Sequence, residues 1–363
     1  MSATFPWTIF EQDEQQRSTK TEACLQALSS QGISACESQP VLSLMSNYCL
    51  VEVKGPDAER FMQGQFTCDV AAITKDRAGL GCCCNNKGRM LGLFRIVRMD
   101  ADHFLLRLPK TVADTLVAHL GKYKAFFKCS CEVNKQWACM AYLGAVDQLS
   151  NSYSAIPTSE GEICSHEGAL IIKSSAGSQH FEIWLAASQA ETRARALIKA
   201  CDVVNESVWN LLEIKTGTGE VYDSTVGEFI PQMFNLQAMD GVSFKKGCYT
   251  GQEIVARMQY LGKLKKRLYL LQANGPGFAV NDKVYGNDHS VGDNRLISDK
   301  KSKLGTIIRT EQLTEQQHMA LAVLDQDPEE RTLWIGEAQE TEAHRIPLPY
   351  QVPEQKNQRP KKD

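Results

Sequence analysis

Apolar and polar residues alternate from Val41 to Val53 about a turn at Ser46-Asn47, the two-residue period of paired strands. Gly55-Pro56-Asp57 then turns the chain into a helix, Ala58 to Gln63, closed by Gly64. Leu80 to Val97 reads as a hairpin that turns at Asn85-Asn86-Lys87-Gly88. Its first strand carries Cys82 and Cys84 on one face and Cys83 on the other, small apolar residues suited to a two-sided core. Phe104 to Leu108 reads as a strand, Thr111 to about Lys122 as a helix, and Lys124 to Val133 and Ala138 to Leu143 as strands.

After a polar loop at 151–162, strands are predicted at Ala169 to Ile172 and His180 to Leu185, then a helix from Ser188 to Ala200. A further amphipathic helix runs from about Glu206 to Ile214, with Val208, Leu211 and Leu212 on one face and Trp209 off it. Beyond Gly262 the period shortens again, with strands at Arg267 to Ala273, Lys283 to Tyr285 and Lys303 to Arg309. Two more follow, Met319 to Leu324 and Thr332 to Ile335. The pattern predicts α+β layers, helices on one face of an antiparallel sheet, over residues 40–262. Residues 263–350 predict a small β-barrel or sandwich. Residues 1–39, rich in Gln, Ser, Thr and Glu, read as a flexible, loosely docked arm with a weak helix from Thr21 to Gln31. Residues 351–363 read as a disordered tail.

Composition narrows the function. A net charge of −3 over 363 residues sets no global field for nucleic acid or membrane. Thirteen cysteines, an odd number, suit a reducing compartment, and the chain is expected to be cytoplasmic, with neither leader nor membrane span. No pair has C-x-x-C spacing, which argues against a zinc site or a ferredoxin-type cluster, so no metal is expected. Seven histidines include no H-E-x-x-H pair. Lys263, Lys265, Lys266 and Arg267, with Arg257 upstream and Tyr260 and Tyr269 interleaved, offer a contact for RNA phosphates; a solvated charge face is the plainer reading.

Ser243 to Met258, S-F-K-K-G-C-Y-T-G-Q-E-I-V-A-R-M, carries the most chemistry. Thr250 and Glu253 have the spacing of a capping box, which places Cys248 just before a helix N-terminus. Lys245, Lys246 and the helix dipole would favour a thiolate there, while Gln252 and Glu253 add polar heads. An ordinary capped helix with an inert cysteine fits the same spacing.

The run Lys246 to Glu253 resembles the K-G-C-[FY]-x-G-Q-E signature of the YgfZ family of folate-binding proteins, relatives of the glycine-cleavage T-protein, an aminomethyltransferase. M-Q-G-Q-F-T-C-D from Met62, N-x-K-G-R from Asn85, K-Y-K-A-F-F-K from Lys122, P-Q-M-F-N-L-Q-A-M from Pro231 and P-L-P-Y from Pro347 extend the resemblance from about 40 to 350. It implies a T-protein-like fold of two interleaved α+β domains and a C-terminal barrel around a central cleft. It also implies tetrahydrofolate as ligand, and a role in assembling or repairing iron–sulfur clusters for radical tRNA-modifying enzymes, hence in tRNA thiomethylation.

By correspondence, Tyr48 stands where the family has one folate-associated tryptophan, and Trp209 is the other. Lys246, Gln252, Glu253 and Arg257 complete the implied folate contacts, with Cys248 as a reactive thiol at the same cleft. Lys215 replaces the family Glu of E-x-G, and is a cation for the glutamate tail. Leu91-Gly92-Leu93 lacks the acidic pair of the T-protein relatives, which argues against aminomethyl transfer. A folate-dependent one-carbon transferase or demethylase and a tRNA-binding module are the alternatives.

Overall fold

The structure, a computed structural model, describes residues 14–31, 39–175, 179–287, 301–326, 332–338 and 340–353. The predicted tail beyond 353 and the first 13 residues of the predicted arm lie outside them. Elements are numbered in chain order.

One antiparallel sheet is built from β2 (Tyr48–Lys54), β3 (Gly79–Cys84), β4 (Met90–Asp100), β5 (His103–Pro109) and β6 (Ser130–Asn134). Its order is β3-β4-β5-β2-β6. The helix α2 (Ala58–Gln63) follows β2, and α3 (Lys110–Lys124) packs against β2, β4, β5 and β6 through Val112, Ala113, Leu116 and Leu120. The predicted strand from Lys124 begins six residues later, because α3 runs on to Lys124 and a turn follows.

The second sheet joins β1 (Val41–Leu44), β7 (Trp137–Leu143), β8 (Ile163–His166), β9 (Ala169–Lys173), β10 (His180–Ala186) and β11 (Asp202–Val204) in the order β11-β1-β7-β10-β9-β8. The chain leaves it after β1, completes the first sheet, and returns at β7, so the two α+β units interleave. Two helices, α4 (Val146–Ser150) and α5 (Ala187–Ile198), follow β7 and β10. Among the described residues β11 pairs with β1 in parallel.

The helix α1 (Glu14–Gln31) corrects the reading of the whole N-terminus as a loose arm. It buries Cys24, Leu25 and Leu28, Lys20 pairs with Asp202 at 2.5 Å, and Thr21 Oγ1 accepts the Asn205 N–H at 2.9 Å. The apolar stripe is short, but it docks against β11 and α6 (Ser207–Lys215).

The last region is a closed barrel of β12 (Lys266–Asn274), β13 (Lys283–Asn287), β14 (Lys301–Gln312), β15 (Gln317–Asp325), β16 (Leu333–Ile335) and β17 (Thr341–Ile346). Closure removes the exposed strand edges that a sandwich would leave. A bulge interrupts the β14–β15 register between Ile307 and Arg309. Ile307 faces the barrel core, Ile308 joins the main core, and Arg309 is buried between the two. Bulges re-aim side chains in this way. No helix of the described residues is long and apolar enough to cross a membrane.

Candidate functional site

Where the interleaved sheets meet the barrel, charged side chains are buried together. Glu182 on β10 lies 2.8 Å from Arg95 on β4 and 3.0 Å from Arg107 on β5, and accepts the Trp184 indole N–H at 2.8 Å. From the barrel, Arg309 donates to the Tyr48 hydroxyl at 2.8 Å, to Asn210 Oδ1 at 2.6 Å and to the Thr218 carbonyl at 3.2 Å. Its guanidinium is 3.7 Å from Glu213 and 4.0 Å from Glu220. Burial opposes the charge on Arg309, but Tyr48, Tyr222, Glu213 and Glu220 more than offset it and hold the pKa above its ordinary value. Burial likewise raises Glu220 to about 7 against the pull of Arg309 and Arg107, and raises Tyr48 well above its ordinary range.

Beside this cluster opens a cavity of about 290 Å³ lined by Tyr48, Trp209 and Tyr222 with Glu206, Asn210, Glu311 and Lys110 among its polar groups. The two aromatic residues singled out from the sequence therefore share one site. The Arg107 guanidinium lies 4.6 Å from the Tyr48 ring centre and 5.9 Å from that of Trp209, a cation held between two aromatic faces. Trp209 lies off the stripe of Val208, Leu211 and Leu212, as predicted, and is buried in a separate apolar cluster with Tyr48. Almost every side of α6 is covered, because α1 and the barrel strand β14 pack on it as well as the sheets.

The Trp209 indole N–H has no hydrogen-bond partner among the described residues, and its ring meets His180 edge-on at 4.5 Å. His180 is fully buried, with both ring nitrogens unpartnered among the described residues, and burial lowers its pKa to about 3, so the ring is neutral. Glu311 accepts from Asn210 Nδ2 at 2.8 Å and is pushed up to about 7 by burial. Glu206 Oε2 accepts from Ser46 Oγ and the Asn47 N–H, and burial raises its pKa too.

The signature loop is built differently. Lys246 is buried and donates to the carbonyls of Phe66 at 2.8 Å and Cys68 at 2.7 Å, and burial lowers its pKa to about 8. The Thr250 N–H donates to the Gly64 carbonyl and its hydroxyl to Gln65 Oε1. The capping box is not formed. The helix α7 (Gln252–Tyr260) starts instead from Gly251 at φ 84°, with no side-chain cap. A Cβ on Gly251 would lie 2.5 Å from the Asn85 carbonyl oxygen, so the hairpin turn 85–88 is packed against the loop. Gln232 Nε2 donates to the Val255 carbonyl at 2.6 Å, and the Tyr350 hydroxyl to the Gly217 carbonyl at 3.1 Å. The segments 62–69 and 231–239 are thus hydrogen-bonded to the signature loop and its helix, and the hairpin turn is packed against it.

Cys248 stands exposed on this loop. Neither it nor Lys246, Gln252, Glu253 or Arg257 lines the cavity of Tyr48 and Trp209, which corrects the expectation of a single cleft flanked by both. Lys246 is turned inward to the backbone, Gln252 is half-buried at the first turn of α7, and Glu253 and Arg257 face solvent. Lys215 is half-buried and also outside the cavity. Leu91 and Leu93 bring no acid to β4, and Gly92 packs against Leu108 and Leu116. Cys82, Cys83 and Cys84 are all buried, with Cys82 and Cys84 sulfurs 3.9 Å apart. No group of metal-ligating side chains is assembled among the described residues.

The sequence reading missed Arg107, Glu182, Glu206, Glu220, Arg309 and Glu311. Arg107 in F-L-L-R-L-P and Glu182 in H-F-E-I-W-L are charges inside apolar strands, a signal that marks buried ion pairs.

Residues 7–205 match the family model described as the GCVT N-terminal domain. The chain is 30% identical over 315 residues to the tRNA-modifying protein YgfZ of Escherichia fergusonii, covering 86% of this chain and 94% of that protein. It is 28% identical to the protein of the same name from Pectobacterium carotovorum, covering 88% and 94%. Among solved structures, the glycine cleavage system aminomethyltransferase T from Bartonella henselae is similar, with a TM-score of 0.66 at 15% identity over 88% of each chain. That likeness is one of fold.

Proposed function

This chain belongs to the YgfZ family, and on that premise we propose that it binds tetrahydrofolate in the cavity between Tyr48 and Trp209 and serves tRNA modification by supporting iron–sulfur cluster assembly or repair. One observation carries the reading. Trp209, whose buried indole N–H has no partner among the described residues, lines with Tyr48 a cavity that also holds two carboxyl groups and the amides of Asn47 and Asn210. An unmet buried donor is costly, and a ligand acceptor relieves it. Glu206, Glu311 and Asn210 suit the N–H-rich edge of a pterin, and the aromatic rings suit its faces. At about 290 Å³ the cavity takes the ring system, which leaves the anionic tail at the mouth beside exposed Lys110. When bound, the folate would supply one-carbon chemistry. This chain's residues hold and orient it.

Cys248, outside that cavity, has a separate task in this reading as the accessible thiol for iron or a partner's thiol. The absence of an acid at Leu91-Gly92-Leu93 leaves the one-carbon transferase reading without a proton-handling group there.

Titration of intrinsic tryptophan fluorescence with tetrahydrofolate tests the cavity. Saturable quenching is expected in the wild type, with roughly tenfold or more weaker binding in Trp209→Phe, whose ring cannot donate a hydrogen bond. Identical titration curves for the two proteins would remove the cavity from the reading. Restoration of tRNA thiomethylation in a deletion strain by Cys248→Ser would remove the thiol.

A further inference from the structure

Between Ser243 and Lys265 the sequence has Glu253 as its one acid, against Lys245, Lys246, Arg257, Lys263 and Lys265, a local excess in a chain of net charge −3. Lys246 is buried, but the other four cations are exposed, and none forms a salt bridge among the described residues. The fold draws them onto one region. Phe244 and Tyr260 meet ring to ring at 6.0 Å, which ties the start of the signature loop to the last turn of α7. The N–H groups of Leu261 and Gly262 both donate to the Arg257 carbonyl, which folds the chain leading to Lys263 back onto that turn. At the centre Tyr260 is 55% and Leu261 71% exposed, on a face where large apolar groups otherwise go inside.

We propose that this face, the end of α7 with the flanking lysines, is a contact surface for single-stranded segments of RNA, of the kind exposed in tRNA loops. The proposal deepens the tRNA-modification reading and rests on it. An unstacked base needs a flat apolar face, and the phosphates on either side of it need cations that are not already paired. Tyr260 and Leu261 supply the first, and Lys245, Arg257, Lys263 and Lys265 the second. The exposed aromatic ring set among four unpaired cations favours nucleic acid, whose bases stack, over an acidic protein segment. Cys248 lies three residues from Lys245 in the same loop, so RNA held here would bring its modification site to the exposed thiol's side of the molecule.

The test uses the full chain and a fluorescein-labelled, unmodified tRNA transcript, with anisotropy read across a salt series. Wild type should bind with an affinity that falls as salt rises, at a log–log slope of roughly −3 for four phosphate contacts. The triple variant Lys245→Gln, Lys263→Gln, Lys265→Gln should bind at least about tenfold more weakly and flatten the slope by about two. Tyr260→Ala should weaken binding by about fivefold or more and leave the slope unchanged, since stacking releases no counterions. Tetrahydrofolate quenching in each variant reports that it is folded. Lack of tRNA binding at low salt, or wild-type affinity and slope in the triple variant, overturns the proposal. Poly-L-glutamate competing as well as the tRNA also overturns it and assigns the surface to an acidic protein. Tetrahydrofolate binding without tRNA binding defeats this proposal alone, whereas loss of both defeats the reading beneath it as well.

Discussion

Lys246 sits in the middle of the signature, yet its ammonium is committed to the backbone carbonyls of Phe66 and Cys68, residues about 180 positions earlier in the chain. The sequence suggests a cation for a thiolate or a folate contact. The structure makes it a strut between the Gln65–Cys68 segment and the loop that carries Cys248. Replacement by Met keeps the stem and leaves both carbonyls without their charged donor. The expected cost is about 1–3 kcal/mol, the range for stranding buried acceptors. A urea melt followed by far-ultraviolet circular dichroism would show a lower midpoint with little change in slope. An unchanged midpoint would mean that the two carbonyls find other donors. Trp209 is the reverse case, a residue whose own donor lacks a partner. The comparison sets a cation met within the protein against a donor that is not.

At the scale of elements, the two glycines of the loop make different demands. Gly251 starts α7 at φ 84°, and a Cβ there would come 2.5 Å from the Asn85 oxygen and 3.0 Å from the Gly88 Cα. A Cβ on Gly247 meets nothing within 4 Å. Gly251→Ala should therefore destabilise by about 2 kcal/mol or more, from left-handed strain plus the clash with backbone, while Gly247→Ala should lie within about 0.5 kcal/mol of wild type. Paired thermal melts decide it, and equal melting temperatures would contradict the tight contact between loop and hairpin turn. The same contact explains why the capping box failed. Its spacing was correct, but Thr250 was claimed by Gln65 and the turn needed glycine, and neither is visible in local sequence. Elements with a strong period were legible: α2 has its predicted bounds, and Cys82, Cys83 and Cys84 alternate between two buried faces. Short or polar elements were not. The strand β17, T-E-A-H-R-I, buries Thr341 and Ala343, and β8 borders a polar loop. The site was half legible. Tyr48 and Trp209 were found through the family resemblance, but Arg309 reaches Tyr48 across 261 residues of chain, a pairing that only the fold creates.

Across the whole molecule, that pairing makes the junction of barrel and body sensitive to pH. Burial raises Glu220 on the body and Glu311 on the barrel from an ordinary 4.5 to about 7, and lowers His180 from 6.5 to about 3. The signs oppose one another. Each glutamate holds a proton in the folded state that the unfolded chain has released above 4.5, so its stabilisation is complete below 4.5 and lost as pH rises through 7. His180 stays neutral in the folded state while the unfolded chain is protonated below 6.5, so its stabilisation is complete above 6.5 and lost as pH falls through 3. Between 3 and 4.5 stability rises with pH through His180; from 4.5 to 6.5 the two glutamates outweigh it by one proton; above 6.5 they act unopposed up to 7. The joint contribution peaks near pH 4.5, with each proton worth at most roughly 1.4 kcal/mol per pH unit. Replacing both glutamates by glutamine, the neutral isostere, should turn the fall between 4.5 and 6.5 into a rise and leave the variant more stable than wild type at pH 7.5. Melting temperatures across that range, wild type minus variant, isolate these two groups from every other titration in the chain. A difference that does not change with pH would mean that the carboxyls are ionised in the folded protein, and that Arg309 holds the barrel against the body by charge at every pH.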